Sequence, residues 1–95
     1  HFALYPSGGH YERHLDVFRG KSRRRISCVF YLNFPWCSGD GGQLRLYLPG
    51  AEGETPLDIL PQAGSLVVFD SQTMEHEVLP ALRPRASLAA WLRTA

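Results

Sequence analysis

Short apolar runs rich in β-branched and aromatic residues alternate with clusters of Gly, Pro, Ser and Asp along the whole chain. The breaks fall at 6–9, 20–22, 38–42, 49–53, 61–64 and 82–84. These residue types set turn geometry and sit badly inside strands and helices. Between them lie eight candidate strands, at about 2–5, 11–18, 26–33, 43–48, 57–60, 65–69, 75–79 and 85–93. No segment carries a clear helical period. The run 85–93 holds Leu88, Ala89, Ala90 and Leu92, which suit a helix on propensity alone. Its position after Pro84 and the aromatic Trp91 leave the type open, and the placement of its polar residues, taken up below, favours a strand. Many short strands at regular spacing predict an all-β sandwich or closed barrel.

The run 26–33 shows what such a barrel needs. Ile26, Cys28, Phe30 and Leu32 point one way, and Ser27, Val29 and Tyr31 the other. One face is wholly apolar, and the other also carries Val29 and Tyr31, so the strand calls for cover on both sides. The barrel interior covers one side; helices outside this chain are expected to cover the other. The first residue is His1, and the apolar stretch Phe2-Ala3-Leu4-Tyr5 begins at once. The expectation is one domain over residues 1–95 that is a fragment of a longer chain.

Composition narrows the class. Ninety-five residues with 44% hydrophobic content suit one globular domain and not a disordered segment. A formal net charge of +1 gives no general pull toward nucleic acid or an anionic membrane. Cys28 and Cys37 make neither a disulfide framework nor a zinc motif, which points to reduced thiols and a cytoplasmic protein. No apolar run approaches the ~20 residues of a membrane span, and no signal-peptide pattern opens the chain. The basic run Lys21-Ser22-Arg23-Arg24-Arg25 reads as a solvated loop between strands, diluted by Glu12 and Asp16. If it has a function, guiding an acidic protein substrate is favoured over binding phosphates.

Two patterns carry chemistry. His14-Leu15-Asp16 is an H-x-D triplet in a strand-like run, and residues i and i+2 of a strand share a face. With His76, at the start of a short late strand, it would complete a 2-His-1-carboxylate set, which suits non-haem Fe(II) oxygenases. The triplet by itself is weak evidence, because two exposed polar residues on a strand are common. On the last run, Arg85 and Ser87 share a face with Ala89 and Trp91. An arginine fork beside a hydroxyl can grip a carboxylate, and Tyr31 could add a phenolic hydrogen bond. A surface ion pair and a core tyrosine are the plainer alternative.

The ordered series of these residues resembles the 2-oxoglutarate/Fe(II) oxygenases of the prolyl 4-hydroxylase type, especially the oxygen-sensing and bacterial branch. The resemblance runs through Tyr5-Pro6, then Tyr11-Glu12-Arg13-His14-Leu15-Asp16, Tyr31-Leu32-Asn33 and Trp36. It continues through Gly41-Gly42-Gln43-Leu44-Arg45-Leu46, Pro61, Gly64, Phe69, His76-Glu77-Val78, Arg85-Ala86-Ser87-Leu88 and Trp91. It implies an all-β double-stranded β-helix (jelly-roll) core of about eight strands, lacking the N-terminal helices of the full domain. It implies iron on His14, Asp16 and His76, with Arg85 and Tyr31 on the C5 carboxylate of 2-oxoglutarate. Tyr5 and Leu44 match pocket-lining positions, and Ser87 joins the co-substrate candidates through the strand face it shares with Arg85. The implied activity is hydroxylation of a prolyl residue in a protein or peptide substrate, with O2 consumed and succinate and CO2 released. Ascorbate is a further candidate cofactor. Asp16 is retained where related halogenases carry a small residue, which favours hydroxylation. Another substrate for the same chemistry, or a non-catalytic cupin-like metal-binding module, are the competing readings.

Overall fold

The computed structural model describes residues 1–16 and 23–94. Eight strands form: β1 (Phe2–Tyr5), β2 (Tyr11–His14), β3 (Arg24–Tyr31), β4 (Leu44–Leu48), β5 (Thr55–Ile59), β6 (Leu66–Asp70), β7 (His76–Val78) and β8 (Arg85–Arg93). A single 3-10 turn, Ser38–Asp40, is the one helical element among the described residues, and no helix there is long and apolar enough to cross a membrane. The strands make two four-stranded antiparallel sheets. The major sheet has the order β1-β8-β3-β6 and the minor sheet β2-β7-β4-β5. The chain crosses repeatedly from one sheet to the other, so sheet neighbours are far apart in sequence. This is the double-stranded β-helix.

The core lies between the sheets. Tyr31, Leu44, Leu46, Val67, Phe69 and Val78 are buried together, with Tyr5, Val29, Leu48, Ile59 and Met74 packed on them. Alternation explains the choice of side: Val67 and Phe69 of β6 point inward, while Leu66 and Val68 between and beside them are exposed. In β8, Arg85 and Ser87 are buried while Leu88, Ala90 and Leu92 face outward. This strand is paired on both sides, by β1 and β3, and that tertiary pairing overrides the helix propensity of its Leu and Ala residues.

Several strand boundaries differ from the sequence expectation, and β5 and β2 show the causes. β5 begins at Thr55 and includes Pro56. A proline breaks a central strand but is tolerated on an edge, and β5 is an edge of the minor sheet, with Pro56 opposite Tyr47. β2 stops at His14, so the expected strand over 11–18 is cut short, and residues 17 and 18 lie outside the described residues.

The outer face of the major sheet is apolar, as the alternation of 26–33 predicts. Phe2 stands opposite Leu88, Leu88 opposite Phe30, and Phe30 opposite Leu66, forming one row across four strands. All four are exposed, with Phe2 at 56% and Leu66 at 62%.

Candidate metal and co-substrate site

The last residue of β2 and the first of β7 are direct register partners, which sets His14 beside His76 with ring centroids 4.2 Å apart. His14 Nδ1 donates to the carbonyl of Glu12 (2.7 Å), and His76 Nδ1 to the carbonyl of Met74 (3.3 Å). A carbonyl can only accept, so these bonds place a proton on each Nδ1 and turn Nε2 toward the metal position; Nε2 donates to Asp16 only while it carries a proton, which it would give up to bind a metal. Both Nε2 atoms face Asp16 Oδ1, at 3.4 and 3.2 Å. One ligand atom from each of the three residues falls within 4.8 Å of the others. Two imidazole nitrogens and one carboxylate oxygen are the donor set that suits Fe(II) with positions left open.

Asp16 reaches this point by a different route from the one its spacing suggests. It lies beyond the end of β2, so the shared face of a strand does not place it. The chain has left the minor sheet, and Asp16 is held by the major one. Ser27 Oγ donates to Asp16 Oδ2 (2.6 Å), and Trp91 Nε1 donates to the same oxygen (3.2 Å). Ser27 has committed its proton to Asp16, so the 2.7 Å bond between the Ser27 and Ser71 hydroxyls has Ser71 as donor. Burial opposes ionisation of Asp16. Hydrogen bonds from His14, His76 and Ser27 outweigh it and hold the carboxyl well below the usual range. Burial also opposes charge on His14, yet its bonds to Asp16 and the Glu12 carbonyl raise its pKa above the ordinary value.

The second half of the site is built on three adjacent strands. Tyr5 of β1 pairs with Arg85 of β8, and Ser87 of β8 pairs with Tyr31 of β3. Arg85 is 3% exposed. Its Nε donates to the carbonyl of Gly42 (2.8 Å), a terminal nitrogen donates to the Tyr31 hydroxyl (3.3 Å), and its guanidinium stands over both tyrosine rings. Arg13, Arg45 and Arg83 have carboxylate partners, but among the described residues no carboxylate pairs with Arg85. Burying an unpaired charge is costly, so this side chain is suited to an anionic ligand. Burial raises the pKa of Tyr5 and Tyr31 against the opposing pull of Arg85, so both remain phenols that can donate. Gly42 has φ +69°, and a Cβ there would stand only 3.1 Å from both Arg85 Cδ and Trp36 Cζ2, so any larger residue would press on the arginine.

One cavity of about 1010 Å³ joins the two halves. It is lined by His14, Asp16 and His76, by Arg85, Ser87, Tyr31, Tyr5 and Leu44, and by Trp91. All eight residues that the sequence nominates therefore meet in one place. Arg23 and Arg24 also line it, and the Arg24 guanidinium stacks over the Trp91 ring at 3.8 Å. Arg23 is exposed and outside any strand, in keeping with a solvated loop, while Arg24 and Arg25 already belong to β3 and Arg24 is half-buried; Lys21 and Ser22 lie outside the described residues. Trp36 is buried packing, with Nε1 donating to the Gly41 carbonyl. Sequence reasoning missed Ser27 and the indole nitrogen of Trp91 as partners of Asp16, and Ser71 as the partner of Ser27. A signal was present: Ser27 lies on the inward face of β3 with Val29 and Tyr31, and an inward hydroxyl needs a polar partner.

The chain matches the family described as the 2OG-Fe(II) oxygenase superfamily over residues 1–93. It is 40% identical over 92 residues to hypoxia-inducible factor prolyl hydroxylase of Caenorhabditis elegans, covering 94% of this chain and 12% of that protein. To Egl nine homolog 1 of Homo sapiens it is 37% identical over 93 residues, covering 94% and 21%. Among solved structures it superposes on a Pseudomonas putida prolyl-4-hydroxylase with a TM-score of 0.93 and 55% identity, covering all of this chain and 51% of that one. A Trichoplax adhaerens prolyl hydroxylase, solved with a peptide fragment of the hypoxia inducible factor oxygen degradation domain, gives 0.87 and 36%, covering 97% and 41%. The chain spans about half the length of the bacterial relative and less of the others.

Proposed function

The chain belongs to the 2OG-Fe(II) oxygenase superfamily, and from that membership we propose that it is the catalytic core of a prolyl hydroxylase that acts on a protein substrate and uses Fe(II), 2-oxoglutarate and O2. The observation that carries this reading is a single cavity with two complementary stations: a 2-His-1-carboxylate set, and a buried arginine without a carboxylate partner among the described residues. His14 Nε2, His76 Nε2 and Asp16 Oδ1 would hold the iron. Arg85 would hold the far carboxylate of 2-oxoglutarate through its terminal nitrogens, since its Nε is engaged by Gly42. Tyr31 would donate its phenolic proton to the same carboxylate while accepting from Arg85. Ser87 stands beside them, and Tyr5 and Leu44 wall the pocket. Iron, when bound, supplies the oxidative chemistry of the family, in which 2-oxoglutarate and O2 give succinate and CO2 and one oxygen goes to the substrate. The protein orients both reactants and keeps bulk water from the deep end of the cavity.

A prolyl target is supported by the relatives, which are prolyl hydroxylases in name, and a protein substrate by the Trichoplax complex with a peptide. The test is to incubate the protein with Fe(II), 2-oxoglutarate and proline-containing peptides, reading peptide mass and succinate together. The expected result is one added oxygen on proline with matching succinate. Oxygen on another residue would move the activity to a different substrate of the same class. Metal binding without succinate under any condition would favour the cupin-like module.

A further inference from the structure

The two carboxylate oxygens of Asp16 have separate surroundings. Oδ1 faces the Nε2 atoms of His14 and His76, while Oδ2 accepts from Ser27 Oγ and Trp91 Nε1. The two donors are not a chance pair. Ser27 of β3 and Trp91 of β8 are direct register partners in the centre of the major sheet, so their side chains leave on the same inward face. Ser27 is 1% exposed and is braced by the hydroxyl of Ser71, a fully buried residue just past β6. The Trp91 ring is braced on its face by the Arg24 guanidinium. Asp16 itself sits outside any strand and has no ladder of its own to orient it.

We propose that Ser27 and Trp91 form a two-donor clamp on Asp16, with Ser71 as its backing, and that this clamp aims Oδ1 at the two imidazoles before a metal arrives. The clamp is a positioning device: neither residue supplies a metal ligand. It engages Oδ2, so Asp16 would offer a metal Oδ1 alone. The clamp also joins the two sheets through the metal site, because the histidines belong to the minor sheet and the clamp to the major one. Without it, the carboxylate would be free to rotate, and metal binding would have to order it. Partners of this kind change metal affinity by about 10–100-fold when removed.

This inference rests on His14, Asp16 and His76 as the ligand set, and the experiment separates the two. Metal-free protein is titrated calorimetrically with Mn(II). His76→Ala is the reference for the ligand set: it should lose binding, and retained parental affinity would overturn the metal site itself. Trp91→Phe leaves an aromatic ring for Arg24 to stack on and removes the N–H together with the pyrrole part of the indole; it should weaken Mn(II) binding about tenfold or more. Ser27→Ala should do the same, with Ser27→Thr, which keeps the hydroxyl, restoring most of the loss. A general structural role would lower the unfolding temperature without changing Mn(II) affinity. If His76→Ala abolishes binding while Trp91→Phe and Ser27→Ala both stay within about threefold of the parent, the clamp is wrong and the metal site stands.

Discussion

Arg85 carries the sharpest expectation at the scale of single residues. It is buried, its Nε is committed to the Gly42 carbonyl, and its terminal nitrogens are left for Tyr31 and a ligand. Arg85→Ala should weaken 2-oxoglutarate binding by about 2–3 kcal/mol, because the carboxylate loses a charged partner in a secluded site. Arg85→Lys keeps the charge but not the planar fork that serves Gly42 and a carboxylate together, so it should recover only part of that loss. Tyr31→Phe removes one hydrogen bond and no charge, and should cost on the order of 1 kcal/mol. Competition binding of 2-oxoglutarate to the Mn(II) protein, without O2, gives all three values. Weakened peptide binding with unchanged 2-oxoglutarate affinity would move Arg85 to the substrate groove. The shared inward face of Arg85 and Ser87 was legible in the sequence because it follows from alternation along one strand, while the co-substrate roles proposed for Arg85 and Tyr31 came from the family resemblance. The major-sheet partners of Asp16 were not legible, because they come from β3 and β8, whose mutual register no local pattern records.

At the scale of elements, the number of strands was legible and their ends were less so. Turn residues mark strands clearly, but where pairing stops depends on the neighbouring strand. β2 ends at His14, its register partner across the ladder being His76 at the start of β7. An edge position lets β5 absorb Pro56. Asn33 shows how an element end is secured beside the site. It is 7% exposed, its amide nitrogen donates to the carbonyls of Pro61 (2.7 Å) and Ala86 (2.9 Å), and its side-chain oxygen accepts from the Ala86 N–H (2.6 Å). It thus ties the chain just past β3 to β8, one residue from Arg85, and to the turn before β6. Asn33→Ala removes three hydrogen bonds and strands buried backbone groups, so a loss of roughly 2–4 kcal/mol is expected. Denaturant unfolding measures it, and a loss below about 1 kcal/mol would show that water or local movement replaces the amide. The family resemblance singled out the Tyr31-Leu32-Asn33 run without giving Asn33 a task; the task is to brace the strand that carries the arginine.

For the molecule as a whole, the apolar outer face of the major sheet sets the physical behaviour of the isolated chain. Phe2, Leu88, Phe30 and Leu66 run across it in one register row, and Leu4, Val68 and Leu92 extend the exposed apolar area on either side. Monomeric proteins rarely leave so continuous an apolar surface in water. The sequence predicted this face from the apolar residues on both sides of 26–33, and assigned its cover to helices outside the chain; the solved bacterial relative has about as much chain again beyond the matched part. The 95-residue chain on its own should therefore self-associate at micromolar concentration, which sedimentation or light scattering would detect. Replacing Leu66 and Leu4 with Lys should shift the population toward monomer, because each breaks the patch with a charge while pointing away from the core. Neither substitution touches the metal triad, so Mn(II) affinity should hold as association falls. A wild-type chain that stays monodisperse and unfolds cooperatively as a monomer would show that this face needs no cover, and the fold would then be stabilised by its interior alone.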